Sequence, residues 1–494
     1  MKQTAIILTF ATVLLFGCKT TTTTKGLPDH IQLDPDLPEP RNPDAQFYLG
    51  LSYFDGIEKP KDYKKAVLWF TKAAQQEHAE AQHYLGHLYF KGDGVPKDYK
   101  KAVLWFTKAA QQGIAQAQLN LGVCFLEGYG VSKNPKKAAL WFTKAAQQGD
   151  AQAQYNLGIS YKIGNGVPKD MKKAAQWFTK AAEQEDAQAQ YELGFCFAIG
   201  NGVPKDLKKA ALWFTKAAQQ GDARAQFNLA FCFAIGNGVP KDLKKAITWL
   251  TKAAQQGDAK AQYELGICYA KGNGVSKDMK KAITWFTKAA EQGDAKAQYE
   301  LGIHHYQGIG VPKDLKKAAL WFTKAAEQGD AKAQYNLRVF YEKGYGVSKD
   351  LKKAITWLTK AAQQGDAKAQ YELGICYAKG NGVSKDHKEF VLRLAAEQEH
   401  TKFKHGWGGI RYKKDYGVSK DLKKAVLWFT KASEQEHAGA QYELGICYAT
   451  GNGVSTDLKA AAKWIKKAYD KGHEGAKAFW YTFELGKYPI REDK

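Results

Sequence analysis

The sequence predicts an all-α solenoid assembled from repeated helical hairpins, and two observations carry that expectation. The string Ala-Gln-x-x-Leu begins at Ala45, Ala81, Ala117, Ala153, Ala189, Ala225, Ala261, Ala297, Ala333 and Ala369 at a constant spacing of 36 residues, and once more at Ala440. Self-similarity at this period marks stacked small units rather than one globular core. Inside each unit the apolar residues recur at helical and not at strand spacing.

The unit Asp258 to Asp294 shows how the elements arise. Ala261, Leu265, Cys268 and Tyr269 fall at i, i+4, i+7 and i+8, the pattern of an amphipathic first helix. Gly272-Asn273-Gly274 ends it, because these residues tolerate the left-handed backbone of a helix terminus. Val275 then plugs the interior below the turn. Asp278 opens a second helix, where a carboxylate suits the free backbone N–H groups. Ala282, Trp285 and Ala289 form one apolar stripe, and Ile283, Phe286 and Ala290 a second beside it. So wide an apolar face fits a helix packed on both its own partner and the next unit. Gly293 stops the helix and Asp294 caps the one that follows.

The chain of 494 residues carries a formal charge of +23. The excess is distributed along the repeat: Lys260 to Ala295 holds six lysines against four carboxylates. Read along the chain this is a solvated face, and it favours acidic partners such as anionic glycans, lipid headgroups or acidic proteins. Nucleic acid is disfavoured by the export signal at the N-terminus.

That signal consists of Met1-Lys2, the apolar run Ala5 to Phe16 and the ending Leu15-Phe16-Gly17-Cys18. The run is too short to span a bilayer and has the length of a signal-peptide core. Its ending resembles a bacterial lipobox, which implies that Cys18 is lipidated and becomes the N-terminus. Lys19 after the cysteine implies sorting to the outer membrane. The expected organisation is a lipoprotein signal peptide at 1–17, a lipidated cysteine and flexible tether at 18–43, the repeat array at 44–474, and a C-terminal capping helix and tail at 475–494. The tether assignment rests on the threonine tract Thr20 to Thr24 and on Pro28, Pro35, Pro38 and Pro40.

The recurring set Leu265-Gly266, Gly272, Gly274-Val275, Asp278, Lys281-Ala282, Trp285-Phe286, Lys288-Ala289-Ala290 and Gly293 resembles the Sel-1-like repeat family, a tetratricopeptide-like solenoid. The resemblance implies a right-handed α/α superhelical solenoid of about twelve hairpins. It also implies a scaffold for protein complexes, and exported bacterial members are often host-interaction or envelope factors.

Candidate chemistry is sparse. Cys124, Cys196, Cys232, Cys268, Cys376 and Cys447 share one place in their units. Equivalent places in neighbouring hairpins are about 8–10 Å apart or more, too far for a disulfide, so these thiols are expected in the core. The family's cysteine-rich branch, with penicillin-binding or β-lactamase-like activity, has a second cysteine that this chain lacks. The Gly-x-Gly turns lack the strand and the Gly-Lys-Ser/Thr ending of a phosphate loop. His83 and His87 have metal-ligand spacing but no third ligand. No cofactor or metal is implied.

Function is therefore sought where the period changes. The residue before the anchoring alanine is Gln116, Gln152 and Gln188, then Arg224, then Lys260, Lys296, Lys332 and Lys368, with Glu264, Glu300 and Glu372 one turn on. The expectation is i, i+4 ion pairs in the later half. Arg338 replaces a packed glycine and is expected to snorkel outward. In 387–412 the period fails: Arg393 replaces a tryptophan, and Phe403 to Gly409 has no Ala-Gln-Tyr. A hinge is expected there, with Arg393, Trp407, Arg411 and Tyr412 as candidate partner-binding residues. The resulting expectation is a lipid-anchored, non-enzymatic protein-interaction scaffold of the bacterial cell envelope, at the outer membrane, with a protein partner. The alternatives are a penicillin-binding or β-lactamase-like enzyme and a peptidoglycan or anionic-glycan binder.

Overall fold

A computed structural model describes residues 41–57, 59–380, 418–482 and Leu485. The described regular elements are 23 α-helices, which alternate as first and second helices of hairpins. The chain clusters into two compact units, the first ending at Ala225 and including Asn237–Val239, the second comprising Gln226–Gly236 and the rest.

In the first unit the first helices are α1 (Pro43–Asp55), α3 (Ala79–Lys91), α5 (Ala115–Glu127), α7 (Ala151–Ile163) and α9 (Ala187–Ile199). Their partners are α2 (Tyr63–Gln75), α4 (Tyr99–Gln111), α6 (Pro135–Gln147), α8 (Met171–Glu183) and α10 (Leu207–Gln219). After α11 (Ala223–Ile235) and α12 (Leu243–Gln255), the second unit continues with α13 (Ala259–Lys271), α14 (Met279–Glu291), α15 (Ala295–Gln307), α16 (Leu315–Glu327), α17 (Ala331–Lys343) and α18 (Leu351–Gln363). It ends with α19 (Ala367–Lys379), α20 (Leu422–Glu434), α21 (Ala438–Thr450), α22 (Leu458–Asp470) and the single helix α23 (Glu474–Thr482).

The local signals act as expected. Asp278 Oδ1 accepts from the Lys281 N–H at 3.0 Å and starts α14. Asp294 Oδ1 accepts from Ala297 N–H at 2.8 Å and starts α15. Gly272 closes α13 with φ of +80°, a left-handed conformation that other residues adopt only with strain.

Three contacts then set the packing. Within a hairpin, a phenylalanine ring lies on a glycine: a methyl group added at Gly158 would sit 2.6 Å from ring carbons of Phe178, and the same holds for Gly266 and Phe286. Between hairpins, Trp285 packs on a cluster that includes Leu250 and Ala253 of the preceding hairpin. That explains why the second helix needs two apolar stripes. Beneath both runs a buried glutamine ladder. Gln154 Nε2 donates to the Ala146 carbonyl at 3.2 Å, and Gln184 Nε2 donates to Gln154 Oε1 at 2.8 Å. The ladder recurs within each unit, from Gln46 to Gln220 in the first and from Gln226 to Gln435 in the second, and satisfies these buried amides.

The broken period resolves in a way the repeat alone did not suggest. Residues 381–417, with the expected hinge and Arg393, Trp407, Arg411 and Tyr412, lie outside the described residues. On either side, however, α19 pairs with α20, although the period assigns them to successive units. Gly374 receives Phe429, the Asp421 N–H donates to the Tyr377 carbonyl at 2.9 Å, and Gln435 Nε2 donates to Gln370 Oε1 at 2.8 Å. These are the contacts of an ordinary hairpin. The residue that the period places opposite Gly374 is Leu394, not phenylalanine.

Size matching accounts for this choice. Where a first helix keeps glycine, the facing residue is phenylalanine, as in Gly86 and Phe106 or Gly302 and Phe322, except in the last hairpin, where Gly445 faces Ile465. Where the small residue grows to Ala230, the second helix carries Leu250 instead, and both lie in one cluster.

We therefore expect Gly158→Ala to cost about 1–3 kcal/mol by overpacking. Adding Phe178→Leu should restore part of that loss. Hydrogen exchange of α7 and α8 in the two single variants and the double variant reads the coupling, and strict additivity would refute the size-matching account. Excising 382–416 joins Asn381 to Gly417 and recreates Gly-Asn-Gly-Val-Ser-Lys-Asp, the turn present at Gly272–Asp278. The shortened chain should keep the helical circular dichroism and melting temperature of the parent. Aggregation or loss of cooperative melting would refute the composite hairpin.

Candidate protein-interaction surface

First helices repeat the positions of their outer face once per hairpin within each unit. In the first unit one of these positions is Leu51, His87, Val123, Ile159 and then Phe195. It changes from covered to open: Val123 is buried, whereas Phe195 is 37% exposed. Ile163, at 58% exposure, and Ile199, at 52%, stand beside it at the ends of α7 and α9. In the second unit Phe231 and Ile235 hold the same two repeat positions and are likewise exposed.

The charged groups around this apolar patch are neutralised internally. Lys162 Nζ donates to Glu192 Oε2 at 2.6 Å, with the carboxylate buried. At the other end of the first helices, Arg224 pairs with Asp222 at 2.8 Å, and its guanidinium stacks 4.2 Å from the Tyr191 ring centroid. An exposed aromatic and aliphatic centre beside a satisfied ion pair suits a protein-binding hot spot.

A second concavity lies between hairpins two and three. It is a cleft of about 270 Å³, lined by His87, Phe90, Lys91, Tyr99, Asn120 and Tyr129 among others. Phe90 and Tyr129 meet edge-on at 5.4 Å, and Tyr99 stacks on Tyr129 at 5.0 Å. The cleft suits one apolar or aromatic side chain of a partner. Below it His83 Nε2 lies 3.1 Å from Asn120 Nδ2, which makes this nitrogen the acceptor of a neutral imidazole. Burial, with a smaller contribution from His87, pulls the His83 pKa down to about 3. Among the described residues no cluster of three or more His, Cys, Asp or Glu residues is placed to hold a metal.

The second unit corrects two expectations. No ion pair within 4 Å joins Lys260 to Glu264 among the described residues. Burial raises the Glu264 pKa, and the cation that most lowers it is Lys296 of the next hairpin. Polar groups on this face are satisfied between hairpins, because stacking brings one helix's carboxylate beside the next helix's amine. Arg338 does not reach outward either. Its side chain is 12% exposed, donates to Glu342 at 2.9 Å and contacts the Glu372 carboxylate, to which Tyr335 Oη also donates at 2.6 Å. Two carboxylates make burial cheaper than exposure here.

The cysteines lie in the interior, as expected. All six described cysteines are free thiols, four of them buried. Burial pushes Cys196 up to about 11 and Cys124 and Cys447 up to about 12, so they are not nucleophiles near neutral pH. Cys18 lies outside the described residues. No helix among the described residues is long and apolar enough to cross a membrane.

Comparison with known proteins places this surface in a family. The Sel1 repeat matches twelve times: seamlessly from 43–78 to 331–366, in part at 367–389 and 405–437, and again at 438–473. The chain belongs to the Sel1 repeat family. The two partial Sel1 matches contribute the two halves of the composite hairpin. A crystal structure of a protective antigen of uropathogenic Escherichia coli, described as displaying an SLR fold, is 35% identical. It covers 90% of this chain and 88% of its own, with a TM-score of 0.69. A Sel1 repeat protein of Oxalobacter formigenes is 37% identical over 62% of this chain and 88% of its own, with a TM-score of 0.50. A search of curated proteins gives no match. Sel1 repeat proteins are protein-interaction scaffolds and bind protein partners.

The exposed patch was missed in the sequence because Phe195 and Ile199 fit the apolar pattern of a first helix. The signal that could have found it is the change at the ends of the helices, from Lys91 and Glu127 to Ile163 and Ile199.

The buried imidazole has a pH consequence. The folded state needs His83 neutral, whereas the unfolded chain takes up a proton near pH 6.5. Its contribution is complete above that pH and is lost as pH falls toward 3, with a slope of up to about 1.4 kcal/mol per pH unit. His83→Tyr, the residue found at Tyr155, should melt with less loss between pH 7 and pH 4.5 than the parent. Equal acid sensitivity of the two proteins would refute this assignment.

Proposed function

We propose that this Sel1 repeat chain is a lipid-anchored, non-enzymatic scaffold of the bacterial cell envelope that binds a protein partner across its first-helix face. The observation that carries the reading is the patch of Ile163, Phe195 and Ile199, open to solvent, with the neighbouring Lys162 already paired to the buried Glu192. A patch without unpaired charge at its centre selects for apolar and aromatic side chains, so the partner is expected to present these. The lipobox-like ending at Cys18 supports anchoring, and Lys19 supports the outer membrane. The likeness to a protective antigen of uropathogenic Escherichia coli supports a role facing the host.

A photo-crosslinking residue placed at 195 or 199 in intact cells should give a discrete adduct. The same probe at Leu212, exposed on a second helix, should not. Equal labelling from all three positions would overturn the assignment of the face. Anchoring is read separately: Cys18→Ala should abolish labelling by a radioactive fatty acid, and persistent labelling would refute lipidation at Cys18.

A further inference from the structure

The positive charge is even along the chain but not across it. In the first unit each turn and second-helix start carries the pattern Lys-Asp-x-Lys-Lys, with Asn134 standing for aspartate once. In the five hairpins of the first unit this places fifteen lysines against four aspartates at one edge. The opposite connections, from α2–α3 to α10–α11, hold five carboxylates and no lysine or arginine, with one lysine per hairpin in the last helical turn before them. The array is therefore electrically two-edged.

The basic edge is continuous. A methyl group added at Gly94 in the second turn would lie 2.5 Å from the Tyr63 carbonyl oxygen and 2.9 Å from Lys64 N. Gly130, Gly166, Gly202 and Gly238 approach the starts of α4, α6, α8 and α10 in the same way. Each turn thus seats on the preceding second helix and forms one strip. Five helix N-termini open on that strip and add their partial positive charge.

The lysines of each group differ in role. Lys65 lies 4.0 Å from Asp62 and 5.2 Å from the Tyr53 ring centroid, and Lys101 repeats this with Asp98 and Tyr89. Each capping aspartate is thereby used. Lys64, Lys100, Lys136, Lys172 and Lys208 are exposed and have no ion pair within 4 Å among the described residues. They form a row of free ammonium groups, one per hairpin.

We propose that this strip binds a linear acidic polysaccharide, its carboxylate or sulfate groups bridging successive hairpins. The chemistry selects this occupant. Ile57, Ile163 and Ile199 are exposed at the turns of hairpins one, four and five, but hairpins two and three expose no large apolar side chain there, so an anionic bilayer would find no continuous apolar row to take up. Tyr63 and Tyr99, the rings within reach, are covered by Lys61 at 4.8 Å and Lys97 at 4.9 Å, which removes the stacking platforms of a single-stranded nucleic acid. Lysine rather than arginine suits diffuse point-charge contact with a flexible polyanion. The strip borders the Ile163, Phe195 and Ile199 patch at the ends of α7 and α9, but its row of second-helix lysines does not depend on the protein-partner reading.

The test uses the purified full chain and polygalacturonate or heparin in a salt series. Changing Lys64, Lys100, Lys136, Lys172 and Lys208 together to Gln should weaken binding by about tenfold or more and reduce the salt slope by about 4. A matched control changes Lys72, Lys108, Lys144, Lys180 and Lys216 to Gln. These sit 4.3–4.8 Å over tryptophan rings in the last turns of the second helices. The control should bind as the parent does. Circular dichroism confirms that both variants fold. Equal loss in the two variants would show a mere net-charge effect and overturn the proposal. So would tighter binding to duplex DNA, or to phosphatidylglycerol over phosphatidylcholine vesicles, than to polygalacturonate.

Discussion

Everything in this array depends on how closely the two helices of a hairpin approach, and a phenylalanine ring seated on a bare glycine sets that distance. The ring of Phe178 fills the space that a side chain at Gly158 would need. Because the helices come that close, alanines suffice for the rest of the interface: Ala174, Ala181 and Ala182 are almost wholly buried. Protein interiors tolerate neither gaps nor excess volume, so a change at one member demands a change at the other. Ala230 with Leu250 satisfies that demand, and so does Gly374 with Phe429 across 381–417.

The same constraint governs the stack. With each hairpin held at one thickness, a tryptophan from the next reaches the core before it, and the amide of Gln154 meets both the previous helix and its own. Hydrophobic contact supplies stability without direction. The glutamine ladder supplies register, because a slipped hairpin would leave these amides buried and unsatisfied. Repetition then turns local asymmetry into a property of the whole unit. One basic turn is a minor feature, but five turns seated on one another form an edge.

Function follows from what the packing leaves unused. The first helices spend their inner residues on the core and their polar residues on pairs between hairpins. What remains is an apolar row that opens toward Phe195, and a row of ammonium groups at the edge. The first is suited to a protein partner and the second to a polyanion. The buried thiols add nothing to this, because desolvation keeps them protonated.

The sequence by itself determined the helices, their caps and their stacking, because those depend on residues no more than one period apart. Asp278, Gly272 and the paired stripes around Trp285 and Phe286 each announce a local role that backbone geometry enforces. It also showed where the period fails. It did not show that the halves on either side recombine, since α19 and α20 are assigned to different units and only a ring fitting a glycine identifies them as partners. Nor could it foresee that Lys296 rather than Lys260 serves Glu264, or that Arg338 turns inward. Those outcomes depend on which side chains the stacking brings together. The same holds for charge: composition counts lysines, but only the tertiary structure sorts them to one edge, because sidedness is a property of the folded stack and not of the chain.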